Sequence, residues 1–233
     1  LDVLPMQRMV YDHGGHKDRP PLFRVTALFT ERDGRTQLDM SMAFATPEVA
    51  VEMRDFIRKA GGESTWDRLA EYLAKQGSGK EIFVIARSFE AAIDQVYDMW
   101  TNPEHLAQWL PPTGANLRFI RAQPQVGQSS FYEMTFSGGQ PMYGLIHYLE
   151  MNPPSRLVYT QQFCDANENV IRPPFFSHWP LRQRTIVELV VEGEQTTRVT
   201  VRWEPQEATE EDIAEFIKQR TGMTGGWTGS FDK

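Results

Sequence analysis

The stretch RTIVELVVEGEQTTRVTVRW, residues 184–203, decides the fold of the second half of this chain. Apolar and polar residues alternate on both sides of Glu192-Gly193, and alternation of period two is typical of strands with one buried face. A glycine-containing break between two such runs indicates a hairpin turn. The stretch therefore predicts two antiparallel strands joined at Glu192-Gly193.

The residues on either side extend this hairpin into a larger unit. SRLVYTQQF (155–163) predicts a preceding strand, and the Thr209/Asp212 spacing predicts a capping box at the start of a terminal helix. That helix contains the pair Gly225-Gly226, and each glycine costs about 1 kcal/mol relative to alanine. Close packing against the sheet, or a bend that opens a cavity, would each offset this cost.

The same order of features occurs earlier in the chain. RMVY (8–11) matches RLVY (156–159), and FRVTALFTERDGRTQLDMSMAF (23–44) predicts a hairpin around Asp33-Gly34. A double glycine, Gly61-Gly62, again follows within a helix. Residues 1–77 thus repeat roughly 149–233 and predict the carboxy-terminal half of a first domain. We expect residues upstream of Leu1, or another segment or chain, to complete its sheet.

Residues 80–150 occur once. EIFVIARSF (81–89) predicts a strand, and two short helices follow, the second beginning at TNPEHLAQW (101–109) with a capping box of Thr101 and Glu104. Strands are expected around 116–122, 129–136 and 142–151. The sequence predicts an α+β domain at 81–233, preceded by a linker at 74–80.

Composition and charge exclude several functional classes. The chain is 40% apolar and 24% charged, with a net charge of -7, which is typical of an acidic globular protein and argues against nucleic acid as a partner. We find no apolar run of about 18 residues that would predict a membrane span, and we expect a cytoplasmic location. Cys164 is the single cysteine, so neither a disulfide nor a cysteine-rich zinc site is expected.

Five segments together resemble a known family. They are TNPEHLAQWLPPTG (101–114), YLEMNPPSRLVYT (148–160), RMVYDHGG (8–15), TTRVTVRW (196–203) and GMTGGWTGSFDK (222–233). They are similar to the bacterial homologues of the activator of the Hsp ninety ATPase, in the START-like (SRPBCC) superfamily. The resemblance implies a helix-grip fold: a curved antiparallel sheet around a long carboxy-terminal helix, with two small helices after the first strand. It does not imply one activity.

Aromatic and apolar residues are candidates for a cavity in this fold. Alternation places Tyr132, Met134 and Phe136 on one strand face, and three-to-four spacing aligns positions of the terminal helix. The full predicted set of ligand-binding residues is Trp100, Trp109, Tyr132, Met134, Phe136, Tyr159, Phe216, Arg220, Met223 and Trp227. The alternative is that they fill a solid core. Arg220 needs a carboxylate, a cavity water or an anionic ligand.

Catalytic and metal-binding patterns are weak. His13 and His16, beside two aspartates, form the one local cluster that resembles metal ligands, but a solvated turn is the better interpretation. His147 with Glu133 or Glu150 could act as a general base, although the alternation of side chains along the strands does not reliably place His147 beside either carboxylate. We therefore predict no catalytic residue, no metal and no cofactor.

Three functions remain open. The leading hypothesis is a START-like module that binds a small, mostly apolar molecule in a closed pocket of about 300–1,000 Å³ between sheet and helix. The second is a co-chaperone-like domain whose partner is a chaperone, as the family resemblance implies. The third is a cyclase-type or hydrolase-type enzyme. A homodimer is a further possible assembly.

Overall fold

A computed structural model of the chain describes residues 2–14, 18–32, 34–59 and 62–233. It divides into two compact units, residues 1–62 and 63–233. The sequence predictions name Asp33, His16 and Gly61, which lie outside the described residues. Within the described ranges no helix is both long and apolar enough to cross a membrane.

The first unit is a four-stranded antiparallel sheet followed by a helix. The strands β1 (Asp2–Leu4), β2 (Arg8–His13), β3 (Phe23–Arg32) and β4 (Arg35–Phe44) follow one another in sequence order across the sheet. Helix α1 (Pro47–Lys59) begins where the Val49 amide donates to the Thr46 hydroxyl. Val25 and Ala27 are buried on one face of β3, which the alternating sequence predicts.

The second unit is a seven-stranded antiparallel sheet with helices at both ends of its sequence. Helix α2 (Gly62–Ser78) comes first, so residues 74–78, predicted as linker, are helical. The other elements are β5 (Phe83–Phe89), α3 (Ile93–Thr101), α4 (Pro103–Trp109), β6 (Ala115–Arg121), β7 (Ser129–Phe136), β8 (Met142–Asn152), β9 (Arg156–Cys164), β10 (Arg182–Gly193), β11 (Thr196–Gln206), α5 (Glu210–Lys218) and α6 (Arg220–Phe231). The strand order is β5-β11-β10-β9-β8-β7-β6. This is the α+β helix-grip architecture that the resemblance implied.

Strands β1–β4 pair in the same register as the end of β8 with β9, β10 and β11. Equivalent pairs are Asp2 with Val10 and Glu150 with Val158; Tyr11 with Val25 and Tyr159 with Thr185; Val25 with Met42 and Thr185 with Trp203. Register decides which side chains share a face, so corresponding residues of the two sheets occupy the same positions across each strand pair.

Three local predictions can be compared with the structure. The capping box of Thr209 and Asp212 is confirmed. The cap predicted at Thr101 is wrong: Asn102 caps α4 by accepting from the Glu104 amide, while Thr101 ends α3. The β10–β11 turn lies at residues 194–195, two residues after the predicted Glu192-Gly193, because Gly193 still pairs with Thr196 after a register shift.

Candidate functional site

A partly open cleft of about 250 Å³ lies between the sheet of the second unit and helix α6. We call it the sheet–helix cleft. Its lining residues are Leu110, Pro112, Tyr132, Met134, Phe136, Met142, Gln161, Phe163, Phe175, Trp203, Met223, Gly226, Trp227 and Ser230. It is somewhat smaller than the predicted pocket and is open at one side, whereas a closed pocket was predicted. Phe136 and Phe175, 38% and 55% exposed, lie at its edge.

Strand parity explains the sheet side of the cleft. Tyr132, Met134 and Phe136 alternate along β7 and all line it, while the neighbouring Glu133 pairs with Arg118. One face of the strand thus lines the cleft, and Glu133, the one charged residue of β7, lies on the other face. This is the arrangement expected for a half-buried antiparallel strand.

Tyr132 lies over a glycine in the next strand. It is paired with Gly144 of β8, and a Cβ atom added at Gly144 would lie 2.3 Å from the Tyr132 Cζ. The Tyr132 hydroxyl accepts a hydrogen bond of 3.1 Å from Gln161 Nε2. Burial raises the pKa of Tyr132 to about 12, so the phenol stays protonated at neutral pH. The absence of a side chain at residue 144 is therefore what allows this wall of the cleft to form.

The helix side of the cleft comes from α6. The terminal helix is interrupted at Gln219, whose φ of -84° and ψ of 0° separate α5 from α6. Gly226 lines the cleft, and a Cβ atom at either Gly225 or Gly226 would meet nothing within 4 Å. Close packing at Cβ does not explain these glycines. The interruption of the helix lies at Gln219, six residues before Gly225, and not at the glycines themselves.

A much smaller pocket adjoins the cleft. We call it the polar pocket; it measures about 10 Å³ and is lined by Tyr132, Gln161, Gln162, Phe163, Trp179, Pro180 and Gln183. It shares Tyr132, Gln161 and Phe163 with the sheet–helix cleft. Trp179 Nε1 and Gln183 Nε2 are buried, and neither has a hydrogen-bond partner among the described residues.

A second open cleft, of about 470 Å³, lies at the carboxy-terminal end of α6. We call it the helix-end cleft; α3, α4 and the end of β5 form its other walls, and Trp100, Trp109 and Met99 line it. An aromatic cluster joins it to the sheet–helix cleft, since the Trp100 ring stacks at 5.8 Å on Trp227. Trp109 packs edge-on against Trp100 at 4.6 Å.

The structure separates the ten predicted residues into three groups. Five line the sheet–helix cleft: Tyr132, Met134, Phe136, Met223 and Trp227. Trp100 and Trp109 line the helix-end cleft instead. The other three line neither: Phe216 packs on Trp179, Tyr159 lies beside Tyr148, and Arg220 binds Glu81 and the carbonyl of Ile82 at 2.7 Å each. A carboxylate is therefore the partner of Arg220.

The residues required by the enzyme hypothesis do not meet. His147 Nδ1 lies 3.0 Å from the Ser129 hydroxyl, Glu133 pairs with Arg118, and neither lines the cleft. The described residues contain no group of three or more side chains that could hold a metal ion. Burial raises the pKa of Cys164 to about 11, which disfavours the reactive thiolate.

Several lining residues were missed by the sequence prediction. Gln161 and Phe163 alternate with Tyr159 along β9, and Trp203 alternates with Val199 and Val201 along β11, so period two could have found them. Phe175 lies between strands, where no periodic pattern exists.

Comparison with known proteins identifies the family. The family model described as Activator of Hsp90 ATPase homolog 1-like protein matches residues 1–74 and 90–233. The chain belongs to this family. The match includes the four strands of the first unit and six of the seven strands of the second, since β5 lies in the unmatched range 75–89. No curated protein matches the chain.

Solved structures with this fold come from several bacteria. Protein Ms6760 from Mycobacterium smegmatis is 16% identical with a TM-score of 0.53, over 65% of this chain and 86% of its own. A protein from Arthrobacter aurescens is 22% identical with a TM-score of 0.56, over 65% and 81%. A protein from Rhodobacter sphaeroides is 19% identical with a TM-score of 0.51, over 66% and 89%. At these identities the likeness shows a shared START-like fold.

Proposed function

We propose that the second unit is a ligand-binding START-like module whose sheet–helix cleft takes a small, mostly apolar molecule. The observation that carries the proposal is the composition of the cleft. Three methionines, Met134, Met142 and Met223, and six aromatic residues line it. Methionines adapt to irregular apolar shapes, and aromatic rings contribute large apolar contact areas.

The charge distribution supports an apolar ligand. None of the residues that line the sheet–helix cleft is charged. Arg220, the one charged residue among the predicted ligand-binding residues, is bound to Glu81. An ion entering such a site would lose hydration without gaining a counter-ion. The volume of about 250 Å³ limits the buried part of the ligand to roughly the size of two fused rings.

The test uses two neighbouring glycines as a matched pair. Gly226→Leu adds a side chain at a residue that lines the cleft. Gly225→Leu adds the same side chain at the neighbouring residue, which does not line the cleft. The neutral fluorescent probe N-phenyl-1-naphthylamine is titrated into each protein. We expect Gly226→Leu to weaken binding about tenfold or more, corresponding to about 1.4 kcal/mol, and Gly225→Leu to change it less than about twofold. Failure of the wild-type chain to bind, or equal effects of the two substitutions, would refute the proposal.

A second candidate is a co-chaperone activity, which is supported by the description of the family. It is tested by adding the chain to an Hsp90 ATPase assay. A stimulated rate that persists in Gly226→Leu would favour this function over ligand binding. An unchanged rate with the wild-type chain would count against it.

A further inference from the structure

We infer that the polar pocket anchors an uncharged ligand through one hydrogen-bond-accepting oxygen, such as a ketone or ester carbonyl. This inference rests on the proposed function and specifies its ligand. The evidence is the chemistry of the side chains at the inner wall of the sheet–helix cleft, which differs from that of the rest of the cleft.

Two of the residues that line the polar pocket carry buried donors without partners. Trp179 and Gln183 are each 5% exposed, and Trp179 Nε1 and Gln183 Nε2 make no hydrogen bond within the described structure. An indole N–H can only donate. Leaving a buried donor unpaired costs about 1–3 kcal/mol, so a group that accepts from these atoms is favoured.

The size of the pocket restricts what that acceptor can be. About 10 Å³ is the space of roughly one water molecule or one carbonyl oxygen, and it cannot hold a carboxylate or phosphate. No charged side chain lines it, so an anionic oxygen would be buried without a counter-ion. A neutral oxygen satisfies both restrictions.

The pocket is placed so that one molecule can reach it from the apolar cleft. Tyr132, Gln161 and Phe163 line both spaces. A ligand whose apolar part lies among the methionines could therefore direct its oxygen past the Tyr132 hydroxyl toward Trp179 and Gln183. Because both nitrogen atoms are buried, binding requires small side-chain movements. The flexible methionines permit such adjustment.

The first experiment compares two probes that differ mainly in one oxygen, 1-tetralone and tetralin. A purely apolar site prefers the hydrocarbon, because the ketone loses its hydrogen bonds to water on binding. With the anchor present, we expect wild-type Kd to be about three- to tenfold lower for 1-tetralone, the gain expected for one net hydrogen bond. In wild-type protein, the Trp179 indole resonance should shift with 1-tetralone and stay unchanged with tetralin.

Three variants test whether the oxygen of the ligand binds in the polar pocket. Gln183→Met removes the amide donor and keeps a side chain of similar length, and Trp179→Phe removes the indole N–H and keeps an aromatic ring. We expect each substitution to abolish the preference for 1-tetralone. Trp203→Phe is the matched control: Trp203 Nε1 is also buried without a partner and its ring lines the cleft, but it does not line the polar pocket. It should leave the preference unchanged.

The outcomes separate the two proposals. If neither probe binds, the proposed function itself fails. If tetralin binds as tightly as 1-tetralone to the wild-type chain, the cleft binds apolar ligands but the anchor does not exist, and the polar pocket holds water only. Loss of the preference in Trp203→Phe but not in Gln183→Met would also overturn the inference, because the acceptor would then lie elsewhere.

Discussion

Replacing Gly144 by alanine should displace Tyr132 and destabilise the second unit. The added Cβ would lie 2.3 Å from both Cζ and the hydroxyl oxygen of Tyr132, which is buried and cannot swing into solvent. Overpacking of this kind costs about 1–3 kcal/mol, and loss of the Tyr132–Gln161 hydrogen bond costs about 1 kcal/mol more. Alanine recovers about 0.5–1 kcal/mol relative to glycine within a strand. The net expected loss is about 1–3 kcal/mol of unfolding free energy.

The assay is urea denaturation of Gly144→Ala in two backgrounds. In a Tyr132→Leu background the clashing ring atoms are gone, so the same substitution should be neutral or slightly stabilising. Probe binding should weaken in Gly144→Ala, because Tyr132 lines both the cleft and the polar pocket. A loss below about 0.5 kcal/mol, or the same loss in both backgrounds, would refute the account of how this wall forms.

Three further predictions concern α5 and α6. Gly225→Ala should raise the unfolding free energy by up to about 1 kcal/mol in thermal denaturation, since a methyl group there meets nothing within 4 Å; no gain would contradict this. Arg220→Met should lower the unfolding free energy by about 1–3 kcal/mol, because Glu81 loses its partner, while N-phenyl-1-naphthylamine binding stays unchanged. Weakened binding would indicate that Arg220 takes part in ligand binding. Asp212→Asn should lower stability at neutral pH by about 1–3 kcal/mol, with the difference shrinking as the pH falls below about 4.

The sign of the Asp212 effect follows from its surroundings. Burial by itself would raise the pKa of Asp212, but hydrogen bonds from the Thr209 amide and the Arg172 guanidinium outweigh burial and hold the pKa below its usual value. The folded chain then binds this proton more weakly than the unfolded chain. Its contribution is complete above the ordinary aspartate pKa and is lost as the pH falls through the lowered value. A stability difference that is independent of pH in urea denaturation would contradict this assignment.

Local patterns predicted the elements well because each depends on neighbours in sequence. The capping box of Thr209 and Asp212 and the alternation of Tyr132, Met134 and Phe136 are examples. Where two neighbouring residues could serve the same role, the choice was wrong, as for Thr101 and Asn102. The interpretation of residues 1–77 as half of a helix-grip domain stays a prediction; a crystal structure in which β1–β4 do not superpose on β8–β11 would contradict it.

The site was less predictable because it depends on contacts between distant segments. Arg220 has the spacing of a cleft residue, but its partner, Glu81, lies 139 residues away near the start of β5. Phe175 reaches the cleft from the segment between β9 and β10, which carries no periodic signal. The polar pocket brings together residues from β7, β9, β10 and the segment before β10. No single stretch of sequence contains that combination.

The central claim is that an apolar ligand binds between the sheet and α6. Carbon-13 labelling of the methionine methyl groups, followed by titration with 1-tetralone, tests it most directly. Met134, Met142 and Met223 line the sheet–helix cleft, whereas Met99 lines the helix-end cleft. We predict that the first three resonances shift together with one Kd and that the Met99 resonance stays in place. A shift confined to Met99, or no saturable shift at all, would contradict it.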